Sequence, residues 1–180
     1  MAVQPIVSWY WETNQDTDQV TRWDIGYVNA SEVSPDFTFL IWNNRKGVVD
    51  VPDMQNAVIT VKDELGGNTG ELVEGQWIEV KVDQIDLDFF PIGWDAITNT
   101  EVSRPIKTLG STTNSNGTFT PNVPPHDTPN GEVSILGVAN DGTLQNSAGN
   151  VVKATMRCRV PGNAASGVIN FRTRVRFQYV

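Results

Sequence analysis

Asp83, Asp86 and Asp88, in the run Val-Asp-Gln-Ile-Asp-Leu-Asp-Phe-Phe, form the densest acidic cluster of the chain. Paired carboxylates on one side of a strand serve two chemistries, acid–base cleavage of glycosidic bonds and oxygen ligation of calcium. Asp86 and Asp88 share a face if the segment is extended. Their spacing matches no EF-hand loop and lacks its central glycine, which leaves the three as weak calcium candidates. A charged strand edge that blocks edge-to-edge pairing is the simpler expectation. His126 is the single histidine, in Pro-Pro-His-Asp-Thr-Pro. Asp127 adjoins it, but neighbours on an extended chain point apart, so no Ser-His-Asp arrangement is expected. One histidine and one cysteine, Cys158, cannot supply a usual zinc ligand set. The residues therefore point to no catalytic set, no resident metal and no cofactor.

Two other side-chain classes carry recognition rather than reaction. Six tryptophans occupy the first half of the chain: Trp9, Trp11, Trp23, Trp42, Trp77 and Trp94. Most sit in strand-like stretches, where tryptophan fills a core. Trp94, in Pro-Ile-Gly-Trp-Asp, is the best candidate for an exposed sugar platform. Arginines form two rows. Arg157 and Arg159 alternate with Met156, Cys158 and Val160, and Arg172, Arg174 and Arg176 alternate with Phe171, Thr173, Val175 and Phe177. If these two strands pair, five of the eight arginines share one sheet face. Such a face repels itself unless an acidic surface covers it, either from the same chain or from a partner. Arginine suits that contact because its planar fork binds carboxylates bidentately. Cys158 falls on the inward side of its strand and reads as a small buried hydrophobe.

The charge distribution supports complementarity of this kind. Net charge is −8, yet residues 1–101 hold 18 acids against 5 bases and residues 102–180 hold 3 acids against 8 bases. An acidic chain of this sort is a poor nucleic-acid binder, so a protein partner, including a second copy in a multicopy assembly, is expected instead. No run approaches the roughly 20 apolar residues of a membrane helix, so no membrane partner is expected. Met-Ala-Val-Gln-Pro has neither the basic nor the apolar region of a signal peptide, and a single cysteine fits synthesis in a reducing cytoplasm.

The elements that must hold these side chains read as strands. Val7, Trp9 and Trp11 alternate with polar neighbours. Val20–Val28, Phe37–Trp42, Ala57–Val61, Trp77–Val82, Glu132–Val138, Val151–Val160 and the closing Val168–Val180 follow. Asn43-Asn44-Arg45-Lys46-Gly47 and Asn140-Asp141-Gly142 are turn signals. Residues 103–131, rich in Gly, Ser, Thr, Asn and Pro, read as a long loop or insertion. No helical period or internal repeat appears. The expected fold is all-β: a single antiparallel β-sandwich domain over residues 1–180, immunoglobulin-like or jelly-roll-like.

The stretch Val28–Asp63, with its polar approach, aromatic strand ending in Asn-Asn, loop and second strand, resembles a segment of an immunoglobulin-like sandwich. Val160-Pro161 with Ala164-Ala165-Ser166-Gly167 and the terminal strand resembles the ends of small accessory structural proteins of tailed-bacteriophage virions. The resemblance implies a non-enzymatic virion component in the head, neck or tail, located in the particle after synthesis in the host cytoplasm. A capsid-decoration protein that binds the major capsid protein or another virion protein fits best. The alternative is a carbohydrate-binding module or receptor-binding tip that uses exposed tryptophans.

Overall fold

A computed structural model describes residues 3–12, 18–82, 95–96, 112–113, 119–120, 134–143, 147 and 149–180. Its strands are β1 (Val7–Trp11), β2 (Phe37–Asn43), β3 (Met54–Asp63), β4 (Ile78–Val82), β5 (Asp95–Ala96), β6 (Thr112–Thr113), β7 (Phe119–Thr120), β8 (Ser134–Ile135), β9 (Val151–Cys158) and β10 (Phe171–Gln178). One short helix, α1 (Glu71–Glu74), turns Leu72 and Val73 into the interior. Every strand pair is antiparallel. The chain is an antiparallel β-sandwich. One sheet runs β1-β2-β9-β4-β5 and the other β10-β3-β8. The order β1-β2-β9-β4 against β10-β3 is the A-B-E-D against F-C order of an immunoglobulin sandwich. β6 and β7 pair with each other, and they are the described part of 103–131.

Alternation along the strands builds the core. Phe39, Ile41, Ile78, Val80, Val152, Ala154, Met156 and Cys158 come from the first sheet, and Met54, Ala57, Ile59, Val61 and Ile135 from the second. Full burial of each such side chain stabilises by about 1.5–3 kcal/mol. β3 keeps both Met54 and Ala57 inward through a bulge: Arg176 faces Val58 but Gln178 faces Gln55. The extra residue is Asn56, at φ 49°, a left-handed conformation that asparagine tolerates better than most residues. The run Phe37–Asn43 is buried on both faces. Leu40 and Trp42 lie on the outer side of the first sheet, at 1% and 0% exposure. The Arg45 guanidinium stacks 3.9 Å from the Tyr10 ring centroid and 5.5 Å from that of Trp42.

Asparagines tie one end of the sandwich. Asn43 Oδ1 accepts from Ile6 N at 3.0 Å, and its Nδ2 donates to the carbonyls of Pro52 and Ile135. Asn44 Nδ2 donates to Val49 and Gly137 carbonyls, and Asn150 Nδ2 to those of Leu136 and Val138. The turn at Asn44–Gly47 is therefore clamped to Gly137 and Asn140. Gly137 passes so close that a Cβ there would meet the Val51 carbonyl oxygen at 2.0 Å.

Three sequence expectations change. Val20–Val28 is not a strand: Val20 N bonds the Trp9 carbonyl, Gln19 bridges Tyr10, and 22–29 continue as coil. Its apolar side chains still serve the fold, because Trp23 packs edge-on against Phe37, Phe39 and Phe171. Of Glu132–Val138, Ser134 and Ile135 form a strand, while 136–138 lie outside any strand. Of Trp77–Val82, Ile78–Val82 form β4, while Trp77 precedes the strand and joins the core.

Candidate functional site

The two arginine rows do not share a face. β9 lies inside the five-stranded sheet, between β2 and β4, whereas β10 pairs with β3 in the other sheet. The expected five-arginine surface is thereby corrected to two separate surfaces, with Arg157 and Arg159 on one and Arg172, Arg174 and Arg176 on the other. The sequence misleads here because β9 and β10 are neighbours along the chain. A sandwich connection crosses between sheets as readily as it closes a hairpin.

The β9 row is paired from within the chain by one shared carboxylate. Glu79 on β4 stands directly opposite Arg157. Its carboxylate accepts from Arg157 Nε at 2.6 Å and from Arg159 Nε at 2.8 Å. Glu79 and Arg157 are 14% and 19% exposed at the side chain, and Arg159 is 52% exposed. Burial pushes the Glu79 carboxyl up, but hydrogen bonds and charge from Arg159 and Arg157 outweigh it and hold it below its ordinary 4.5. The same hydrogen bond raises Arg159. Between them, burial and the nearby Glu79 charge push the Cys158 thiol to about 11, which makes it inert at neutral pH.

Glu79→Gln is therefore expected to cost about 1.5–3 kcal/mol at pH 7, the range for hydrogen bonds to charged groups. A depressed carboxyl contributes stability above its unfolded value and loses it as pH falls through the lower folded value. The gap between wild type and variant in urea unfolding should be widest at pH 7 and shrink steadily below pH 4.5. A gap that stays constant down to pH 2.5 or so would refute this assignment.

The β10 row differs. Phe171, Thr173, Val175 and Phe177 face inward, while Arg172, Arg174 and Arg176 face out opposite Lys62, Thr60 and Val58. Arg172 and Arg174 are exposed, and no carboxylate among the described residues pairs with either. Lys62 is mostly buried and its ammonium donates to Asn68 Oδ1. Arg172 and Arg174 thus stand exposed on one outer face, with Arg176 and the mostly buried Lys62 beside them.

Trp9, Trp11, Trp23, Trp42 and Trp77 are all buried or half-buried in packing. Trp94, Asp83, Asp86, Asp88 and His126 lie outside the described residues. Among the described residues no three His, Cys, Asp or Glu side chains converge, and no helix is long and apolar enough to cross a membrane. Glu79 and Lys62 were missed from sequence. Alternation places Glu79 outward on its strand, but nothing local tells which strand lies beside it.

No protein-family model matches the chain, and no curated protein matches it. Among solved structures, it is similar to a family 123 glycoside hydrolase from Clostridium perfringens, with a TM-score of 0.38 and 12% identity. That likeness covers 97% of this chain and 25% of the other, so the chain spans a quarter of that structure. The hydrolase activity belongs to that protein.

Proposed function

We propose that the chain is a non-enzymatic accessory protein of a tailed-phage particle. Its best-fitting role is capsid decoration in many copies, holding the major capsid protein or another virion protein by an acidic surface on that partner. The observation that carries the contact is the outer face of β10, where Arg172 and Arg174 are exposed beside Arg176 and Lys62. The virion setting comes from the resemblance of Val28–Asp63 and of the closing Val160–Val180 region. The particle is stabilised by added interface rather than by chemistry, and stable interfaces bury on the order of 1,200–2,000 Å².

The triple variant Arg172→Gln, Arg174→Gln, Arg176→Gln tests this on particles of the phage that encodes the chain. These residues face outward, so the sandwich should remain folded by circular dichroism. Occupancy is expected to fall at least about tenfold, equivalent to about 1.4 kcal/mol. Wild-type occupancy should itself weaken with salt, because exposed charges are screened. Equal occupancy of both proteins at low and high salt would overturn the proposal.

A further inference from the structure

We propose that the open edge of β10 takes up an extended segment of the acidic partner as an added strand, in the position that strand G holds beside strand F in an immunoglobulin sandwich. The inference deepens the reading above and rests on it for the acidic character of the partner.

Three observations converge on this edge. First, β10 ends its sheet, with β3 on one side and no strand on the other among the described residues. Successive residues of a strand send their N–H and C=O groups to alternate sides, so half of those along Phe171–Gln178 point away from β3. In the A-B-E-D and G-F-C order, strand G stands beside F, which β10 matches here.

Second, the core thins abruptly at this strand. Ala57, Ile59 and Val61 on β3 are 0–1% exposed. Phe171, Val175 and Phe177, one strand further out, are only half-buried, as are Val7, Trp9 and Trp11 at the facing edge of the other sheet. Trp23 covers the Phe171 end. Towards the other end Tyr179 is 46% exposed, its ring 6.3 Å from that of Phe177. Beside it, over the bulge between β3 and β10, lies an open hollow of about 250 Å³ lined by Asn56, Val58, Arg176, Phe177 and Gln178.

Third, Arg172, Arg174 and Arg176 line the outer face along the same edge. An added strand places its alternate side chains about 4.5–5.5 Å from theirs. The fitting segment therefore has apolar residues at every second position, facing in beside Val175 and Phe177. Between them it carries Asp or Glu, facing out beside the arginines. Main-chain bonds supply affinity in this mode, and the alternate side chains supply specificity.

The test titrates the full chain with a seven-residue peptide of alternating valine and glutamate. Controls are a block-scrambled peptide of the same composition and an alternating peptide N-methylated at every second residue to silence one backbone edge. Binding with Kd of about 100 μM or tighter is expected, with amides of 171–178 newly protected from hydrogen exchange. Both controls, and the triple Arg→Gln variant with the parent peptide, should bind at least about tenfold more weakly. If the scrambled and N-methylated peptides match the parent, the arginines bind acids without strand addition, and this inference falls while the proposed function stands. The same holds if the parent peptide fails to bind yet particle occupancy still depends on the arginines. Protection of 171–178 by self-association of the chain alone would name a second copy as the occupant and overturn the heterologous partner.

Discussion

Asn43→Leu is expected to destabilise the protein by about 3 kcal/mol or more, a large fraction of the 5–15 kcal/mol that holds a typical domain together. Leucine keeps the branched skeleton of asparagine with bulkier methyl groups, so no cavity is left at the site. What is lost is three hydrogen bonds at a fully buried position: from Ile6 N, and to the carbonyls of Pro52 and Ile135. Each orphaned buried group costs about 1–3 kcal/mol, because water does not replace the lost partner. The three partners lie on three segments that otherwise meet only at this end of the sandwich. The variant should therefore lower the urea midpoint and also expose the 135–143 backbone to hydrogen exchange. Asn56→Gly is the control. Its residue sits at φ 49° on an exposed bulge, where glycine is at ease, and a change within about 1 kcal/mol is expected. Equal stability of Asn43→Leu and wild type would mean that the asparagine clamp is decoration.

Phe39→Ala is expected to cost about 3–5 kcal/mol, the range for truncating a buried phenylalanine. Phe39 is where the half-buried aromatics meet. Its ring centroid lies 5.0 Å from Trp11, 5.6 Å from Trp23 and 6.1 Å from Trp9. Edge-to-face and tilted ring pairs add about 0.5–1.5 kcal/mol each beyond burial. Trp23 is carried on coil, so its place over the Phe171 end depends on these rings. The emission of the variant should shift to longer wavelength in the native baseline, as Trp9, Trp11 and Trp23 gain water. An unfolding midpoint and an emission maximum both equal to wild type would show that Trp23 is held by something other than this cluster.

The strands that the sequence reveals are those with one wet face. Val151–Cys158 and Phe171–Gln178 alternate as written, and the burial follows the alternation except at Thr155, which is buried against Thr38, and at Arg176, which is half-buried. Phe37–Asn43 shows no alternation because both faces are covered, and its composition alone marks it as a strand. The segment after Val20 looks like a strand because Trp23, Ile25 and Val28 mimic the composition of one. Its backbone meets the β1 edge only as far as Val20, which bonds the Trp9 carbonyl, and then leaves it. The arginine rows show the limit more sharply. Alternation gives each residue its face, but strand partners are chosen by the whole fold. Arg157 therefore finds Glu79, and Arg172 finds Lys62, from segments that local pattern does not connect.

Those same pairings fix the tempo at which the protein can assemble. Leu40 lies opposite Lys153 and Lys62 opposite Arg172, each more than a hundred residues apart along the chain. Neither sheet can nucleate from adjacent hairpins alone, and such topologies fold in roughly milliseconds to seconds rather than microseconds. During that interval β2, apolar on both faces, has no partner on its β9 side. The length of chain between β4 and β9 matters far less. Doubling a flexible connection adds only about 0.6 kcal/mol of closure entropy. The sandwich can therefore host long and variable excursions between those strands at little thermodynamic penalty, while the hazard of misassembly rests with the wait for β9 and β10.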